Sequence, residues 1–154
     1  MRRLFGALAT TTCLVGLMAA AVAATKADRA AYEHRKEVMK RLGRSFNVSI
    51  GKVVSGELQY DPKDTVAAAE DTVRTIPQLP NLFQPGSDLP ESHLKSILFN
   101  NKPRVDQMIA DVNKQSEGLV PAVKTGDKEK IAVAYKTLND ACGSCHNEFR
   151  KPYN

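Results

Sequence analysis

The sequence predicts an all-α protein, an antiparallel four-helix bundle. Three observations carry that prediction. Apolar residues recur at steps of three and four in four separate stretches, the helical period. No stretch reads convincingly as a strand. Two of the three connections are short, and the third is rich in proline, glycine and serine.

The elements follow in chain order. The opening MRRLFGALATTTCLVGLMAAAVAATKADR sets Arg2 and Arg3 before a mostly apolar run that ends in small residues, the layout of a cleavable secretory signal. Cleavage is expected after Ala23 or Ala24, which makes residues 1–24 a signal peptide and 25–154 the working domain. Thr10, Thr11 and Thr12 interrupt the run, which falls short of the roughly 20 residues that span a bilayer. Cys13 has no small residue directly before it, as a lipid-attachment site would need, and it leaves with the signal. About 130 residues remain, enough for one domain with a real core.

The formal charge of +5 falls to +3 once Arg2 and Arg3 are removed, and the residual excess is spread along the chain. No dense Lys/Arg block is interleaved with aromatics, so nucleic-acid binding has no support.

The first helix is expected from Lys26 to about Ser55, with Val38, Met39, Leu42, Phe46, Ile50 and Val53 as its apolar stripe. Gly43 sits in mid-helix at a cost of about 1 kcal/mol against alanine, tolerable where something bulky needs room beside it. Asp61-Pro62 then reads as an N-cap with proline at the first helical position, and Val66, Ala69, Val73 and Ile76 form the second stripe. Pro77 and Pro80 stop that helix. The stretch from Pro77 to Ser92 is the one long connection, with Leu79, Leu82 and Phe83 pinning it to the core.

A third helix is expected from about Lys102 to Lys124, with Val105, Met108, Ile109, Val112 and Leu119 on one side, and Ser92 to Asn100 as a short turn before it. Thr125-Gly126-Asp127 is a stop followed by a new N-cap. Ile131, Tyr135, Leu138, Cys142, Cys145 and Phe149 then recur along a fourth helix running nearly to the terminus.

The fourth helix carries the chemistry. Cys142-Gly143-Ser144-Cys145-His146 matches the attachment signature of a c-type haem. Helical spacing puts Cys142, Cys145 and His146 on one face, the face of the apolar stripe. Two thiols one turn apart can each add to a vinyl group of a haem, while His146 reaches the iron from the proximal side. The signature therefore implies one covalently attached haem c, with its iron.

The competing readings use fewer of these residues. A thiol redox pair belongs at a helix start after a strand, where the helix N-terminus lowers the thiol pKa. Here a long helical run precedes the pair and no strand does. Structural zinc needs four ligands, and His34 and His93 are far away in sequence. A disulfide three residues apart inside a regular helix has poor geometry and leaves His146 without a role. A thiol oxidoreductase without haem stays as the remote alternative.

The terminal Cys-x-x-Cys-His, followed by Asn147-Glu148-Phe149-Arg150-Lys151 on the last helix, resembles the class II c-type cytochromes, the cytochrome c′ family. RKEVMKRLGRSF in the first helix, YDP before the second and LPNLF after it extend the resemblance over the chain from residue 25. The resemblance implies a periplasmic haem protein. It also implies that what faces the iron opposite His146 decides its function.

Most members of the family block that side with an apolar residue and keep a five-coordinate, high-spin iron that binds nitric oxide or carbon monoxide. A smaller low-spin branch places a methionine sulfur there from the first helix. Met39 falls at that position, with Arg35 one turn earlier and Gly43 one turn later, and MKRLGR resembles the low-spin branch. Some high-spin members also carry a methionine there without bonding iron, and methionine on an apolar stripe commonly only fills space. His34 is then the substitute sixth ligand.

A His146/Met39 pair would raise the reduction potential and keep small gases out, which suits an electron carrier serving redox partner proteins of the periplasm. Arg35 and Arg150 are expected to pair with the anionic haem propionates. His34 and His93 each read as surface histidines rather than ligands, with His34 a sixth ligand only if Met39 is not, and Tyr135 and Phe149 read as packing for the core or the haem plane. No carboxylate pair, and no nucleophile with its base, shares a face, so neither an enzyme nor a small-molecule substrate is expected. Many family members pair through the first two helices, whereas no exposed apolar seam in this sequence compels a homodimer.

Overall fold

The computed structural model describes residues 24–152. The expected signal peptide, with Cys13, falls on residues outside that range. Four helices form an antiparallel bundle, as expected.

The first, α1, starts at a capping box. Asp28 donates its backbone N–H to the Thr25 hydroxyl at 3.1 Å, and the Asp28 carboxylate accepts from the Thr25 N–H at 2.8 Å. It runs as an α-helix over Lys26–Leu42, as a π-helix over Gly43–Ile50 and as an α-helix again over Gly51–Ser55. The Gly51 N–H accordingly donates to Phe46 O, five residues back.

A plain α-helix was the expectation, and the stripe itself explains the difference. Val38, Leu42, Phe46 and Ile50 follow at steps of four, whereas an α-helix turns in 3.6 residues and would rotate each successive member away from the core. The wider π turn keeps Phe46 and Ile50 buried.

Tyr135 from the last helix seats against the same segment. Its ring stacks on Phe46 with centroids 4.6 Å apart, and its hydroxyl donates to Asn47 Oδ1 at 3.3 Å. A β-carbon at Gly51 would lie 2.8 Å from that hydroxyl oxygen, so the absence of a side chain at Gly51 lets the two helices approach.

Helix α2 spans Pro62–Thr75, with the Asp61 carboxylate accepting from the Asp64 N–H at 2.7 Å and Pro62 in the first turn. Arg41 Nε donates to both Asp71 carboxylate oxygens, at 3.1 and 3.0 Å, and ties α2 to α1. The connection after it is more regular than expected. A 3₁₀ turn covers Ile76–Asn81 and another Ser96–Asn100. Leu79 and Leu82 are buried and Phe83 half-buried, as the pinned connection requires.

Helix α3 spans Lys102–Ser116 and resumes over Leu119–Lys124. One unbroken helix was expected. Pro121 lacks an N–H and its ring clashes with the carbonyl four residues back, so the helix breaks at Glu117 and Gly118.

Helix α4 spans Lys128–Phe149, its start capped by the Asp127 carboxylate, which accepts from the Glu129 and Lys130 N–H groups at 2.9 and 3.2 Å. It packs on both parts of α3 and on the end of α1, while α2 packs on the π segment and on Leu119–Lys124. Ile131, Leu138, Ile76 and Leu119 form the fully buried centre. The extended pairing among the described residues is a single antiparallel bridge, Leu94 with Arg150.

Candidate functional site

Cys142, Cys145 and His146 all line one cavity of about 720 Å³. That lies within the roughly 300–1,000 Å³ of small-molecule and cofactor sites. Leu138 and Phe149 from α4, Met108, Ile109 and Val112 from α3, and Phe83 from the long connection give it apolar walls. The helical repeat of α4 puts the three motif residues on this wall, because positions three and four apart share a face.

Both cysteines are free and partly buried. Burial, with the neighbouring Cys145 adding to it, pushes the Cys142 thiol up to about 11. Burial likewise raises Cys145, assisted by the negative charge of Glu148. A redox pair needs the opposite shift, toward thiolate, and it needs a helix start. These thiols lie deep in α4. Among the described residues no group of three or more His, Cys, Asp or Glu could hold a metal ion.

The His146 imidazole is pushed below its ordinary value, first by burial and then by the positive charge of Arg150. That favours the neutral ring, the form able to bind a metal. The Arg150 N–H donates to His146 O at 3.0 Å and closes the helix.

Met39, half-buried, lines the same cavity from α1. Gly43 lines it one turn later, and beyond its own stretch of helix no atom lies within 4 Å of where its β-carbon would be. The room anticipated beside Gly43 is therefore present.

Arg35 and Arg150 bring positive charge to this cavity. Arg35 is only 7% exposed, and desolvation lowers its pKa against the attraction of Tyr32 and Asp88. Its terminal nitrogens bond the long connection, at Leu82, Ser87 and Ser92.

The structure brings Cys142, Cys145, His146, Met39, Arg35 and Arg150 together in one cavity. His34 is exposed and does not figure among the lining residues. His93, expected to be a surface residue, is exposed yet also lines the cavity. No local signal in the sequence places it there: the segment around His93 pairs with the end of α4, through Lys151 N–H to His93 O at 2.6 Å. Phe149 faces the cavity, while Tyr135 packs behind Phe46.

Two thiols and an imidazole on one face, apolar walls, a thioether from another helix and two arginines form a donor set that fits a flat apolar macrocycle with two carboxylate arms and a central iron. The comparisons with known proteins agree with that chemistry. The family model described as Cytochrome C′ matches residues 30–150. Cytochrome c-556 of Rhodopseudomonas palustris is 27% identical over 147 residues, covering 91% of this chain and 95% of that protein. A cytochrome c-556 of Agrobacterium tumefaciens is 30% identical over 122 residues, covering 77% of this chain and 94% of that protein. Among solved structures, the ferrous R124K variant of Alcaligenes xylosoxidans cytochrome c prime with bound NO superposes with a TM-score of 0.72. It is 19% identical, with 82% of this chain and 97% of that chain covered.

Proposed function

The chain belongs to the cytochrome c′ family, the class II c-type cytochromes, and from that membership we propose that it is a low-spin electron carrier of the periplasm with His146 and Met39 as axial ligands. Its cofactor is one covalently attached haem c, which supplies a one-electron ferric/ferrous couple when bound. The observation that carries the ligand assignment is that the Met39 thioether, from α1, lines the same cavity as the His146 imidazole, from α4.

Each residue then has a task. Cys142 and Cys145 retain the haem through thioether bonds. His146 offers a neutral imidazole on the proximal side. Met39 offers a soft sulfur at the position a gas would take and raises the reduction potential. Arg35 and Arg150 offset the propionate charges. The apolar walls keep water from the ring edge, and the protein performs no substrate chemistry of its own. Residues 25–154 form the cytochrome domain and residues 1–24 its export leader. Among the described residues no helix is long and apolar enough to cross a membrane.

A second reading draws on the likeness to the Alcaligenes xylosoxidans protein, whose structure has NO bound. In that reading Met39 lines the pocket without bonding iron, and the protein binds nitric oxide or carbon monoxide.

The optical spectrum of the purified protein, oxidised, reduced and reduced under carbon monoxide, separates the two beside a Met39→Ala variant. A low-spin spectrum with a sulfur-to-iron charge-transfer band, unmoved by carbon monoxide and lost in the variant, is the expected result. A high-spin spectrum that shifts with carbon monoxide in both proteins would assign gas binding instead.

A further inference from the structure

The connection between α2 and α3 is held at both ends, and one side chain does most of the holding. Arg35 Nη1 donates to Leu82 O at 3.2 Å and to Ser87 Oγ at 2.6 Å. Its Nη2 donates to Ser87 O at 2.7 Å and to Ser92 Oγ at 3.1 Å. All four acceptors are neutral oxygens of the connection, and Ser87 and Ser92 are buried at 0% and 4% exposure.

The far end of the connection is stitched to α4. Lys95 donates its N–H to Phe149 O at 2.9 Å, Lys151 its N–H to His93 O at 2.6 Å, and Lys151 Nζ bonds Ser92 O at 3.0 Å. Ser92 therefore belongs to both sets of bonds. An unbroken chain of hydrogen bonds runs from α1, one turn before Met39, through Ser92 to the residues that follow His146. The connection itself supplies Leu79, Phe83, His93 and Leu94 to the cavity wall.

We propose that Arg35 is a positioning residue that clamps this connection over the haem cavity and, through Ser92, sets the spacing between α1 and α4, holding the distal and proximal sides together and limiting entry of small molecules. The planar fork of the guanidinium suits the task. It presents donors in fixed directions, and a lysine ammonium cannot reproduce four bonds to three residues. Removing the serine hydroxyls takes one of the two acceptors from each terminal nitrogen and leaves a buried N–H on each unpaired, a penalty that favours opening of the wall. This role is separate from that of a charge beside a propionate, which any cation at this position would share. The ligand-spacing part rests on the His146/Met39 reading, whereas wall closure does not.

The test uses the haem-loaded protein carrying Met39→Ala, which leaves the iron open to carbon monoxide, and compares Ser87→Ala/Ser92→Ala, the milder single Ser92→Ala, and Arg35→Lys in that background with Met39→Ala alone. Amide hydrogen exchange over residues 82–95 and the rate of carbon monoxide uptake by the ferrous form are both measured. The serine double variant keeps the Arg35 charge and is expected to raise each rate about tenfold, with Ser92→Ala between and Arg35→Lys equal to the double variant. Unchanged rates in the serine variants, with only the reduction potential moving in Arg35→Lys, would reduce Arg35 to a propionate charge and overturn the clamp. Faster exchange with unchanged carbon monoxide uptake would also overturn it, by making the bonds structural alone. If the unaltered ferrous protein already binds carbon monoxide in a five-coordinate state, the Met39 ligation fails. The tenfold rise in exchange and uptake then still supports the clamp.

Discussion

The two sides of the haem cavity are built in different ways. On the α4 side, Cys142, Cys145 and His146 come from five consecutive positions of one helix, and the helical repeat alone puts them on one face. On the α1 side, helical spacing puts Arg35, Met39 and Gly43 on the cavity face, but what holds that face in place comes from other elements. Tyr135 packs on Phe46 and Arg35 ties α1 to the connection. A site made of one helical turn survives many changes elsewhere, whereas a site assembled across elements depends on each of them.

The largest effect comes from breaking the local side. Cys142→Ala/Cys145→Ala should abolish covalent haem, so that acidified organic solvent extracts all colour from the protein; colour retained by the chain would refute the thioether assignment. Met39→Ala comes next. It leaves haem attached, converts the spectrum to high spin, lowers the reduction potential and turns carbon monoxide binding from undetectable to stoichiometric. A potentiometric titration with spectra under carbon monoxide reads all of these.

The cysteine environment sharpens the contrast through pH. With the Cys142 thiol raised to about 11, the haem-free chain holds about a hundredfold less thiolate at neutral pH than an ordinary thiol near 9. Alkylation of Cys142 should therefore rise only as the pH approaches 11. The folded group binds its proton more tightly than the unfolded one, so its stabilising contribution is complete below about 9 and disappears as the pH rises through 11. Alkylation that levels off near 9 would show that the haem-free site is open.

Gly51→Ala tests the assembled side. The added β-carbon meets the Tyr135 hydroxyl at 2.8 Å, and overpacking of this kind costs about 1–3 kcal/mol in chemical unfolding. Tyr135→Phe in the same background should recover part of that loss, because the nearest remaining atom then lies 3.2 Å away. The smallest effect belongs to Asp127→Ala, which removes the N-cap of α4 fourteen residues or more from the haem motif and should cost about 1 kcal/mol with the spectrum unchanged.

Legibility followed the same divide. Caps at Asp61 and Asp127, prolines at the first turn and after α2, and four apolar stripes were readable because each is a local rule. The break in α3 was also written locally, in Pro121, but the stripe from Val105 to Leu119 masked it. The π segment was hidden because a step of four reads as helical in either helix type. His93 is exposed as expected, but its share in the cavity wall was hidden because it depends on pairing with a segment more than fifty residues later.

The sequence by itself determined the four helices, the haem-binding turn of α4 and the kind of cofactor, since spacing along one helix is enough to converge two thiols and an imidazole. Only the tertiary structure decided how α1 is wound, which loop closes the cavity and which residues Arg35 holds. Those outcomes depend on side chains far apart in the chain meeting in a packed interior, where one tyrosine against one glycine, or one guanidinium among buried hydroxyls, selects the arrangement.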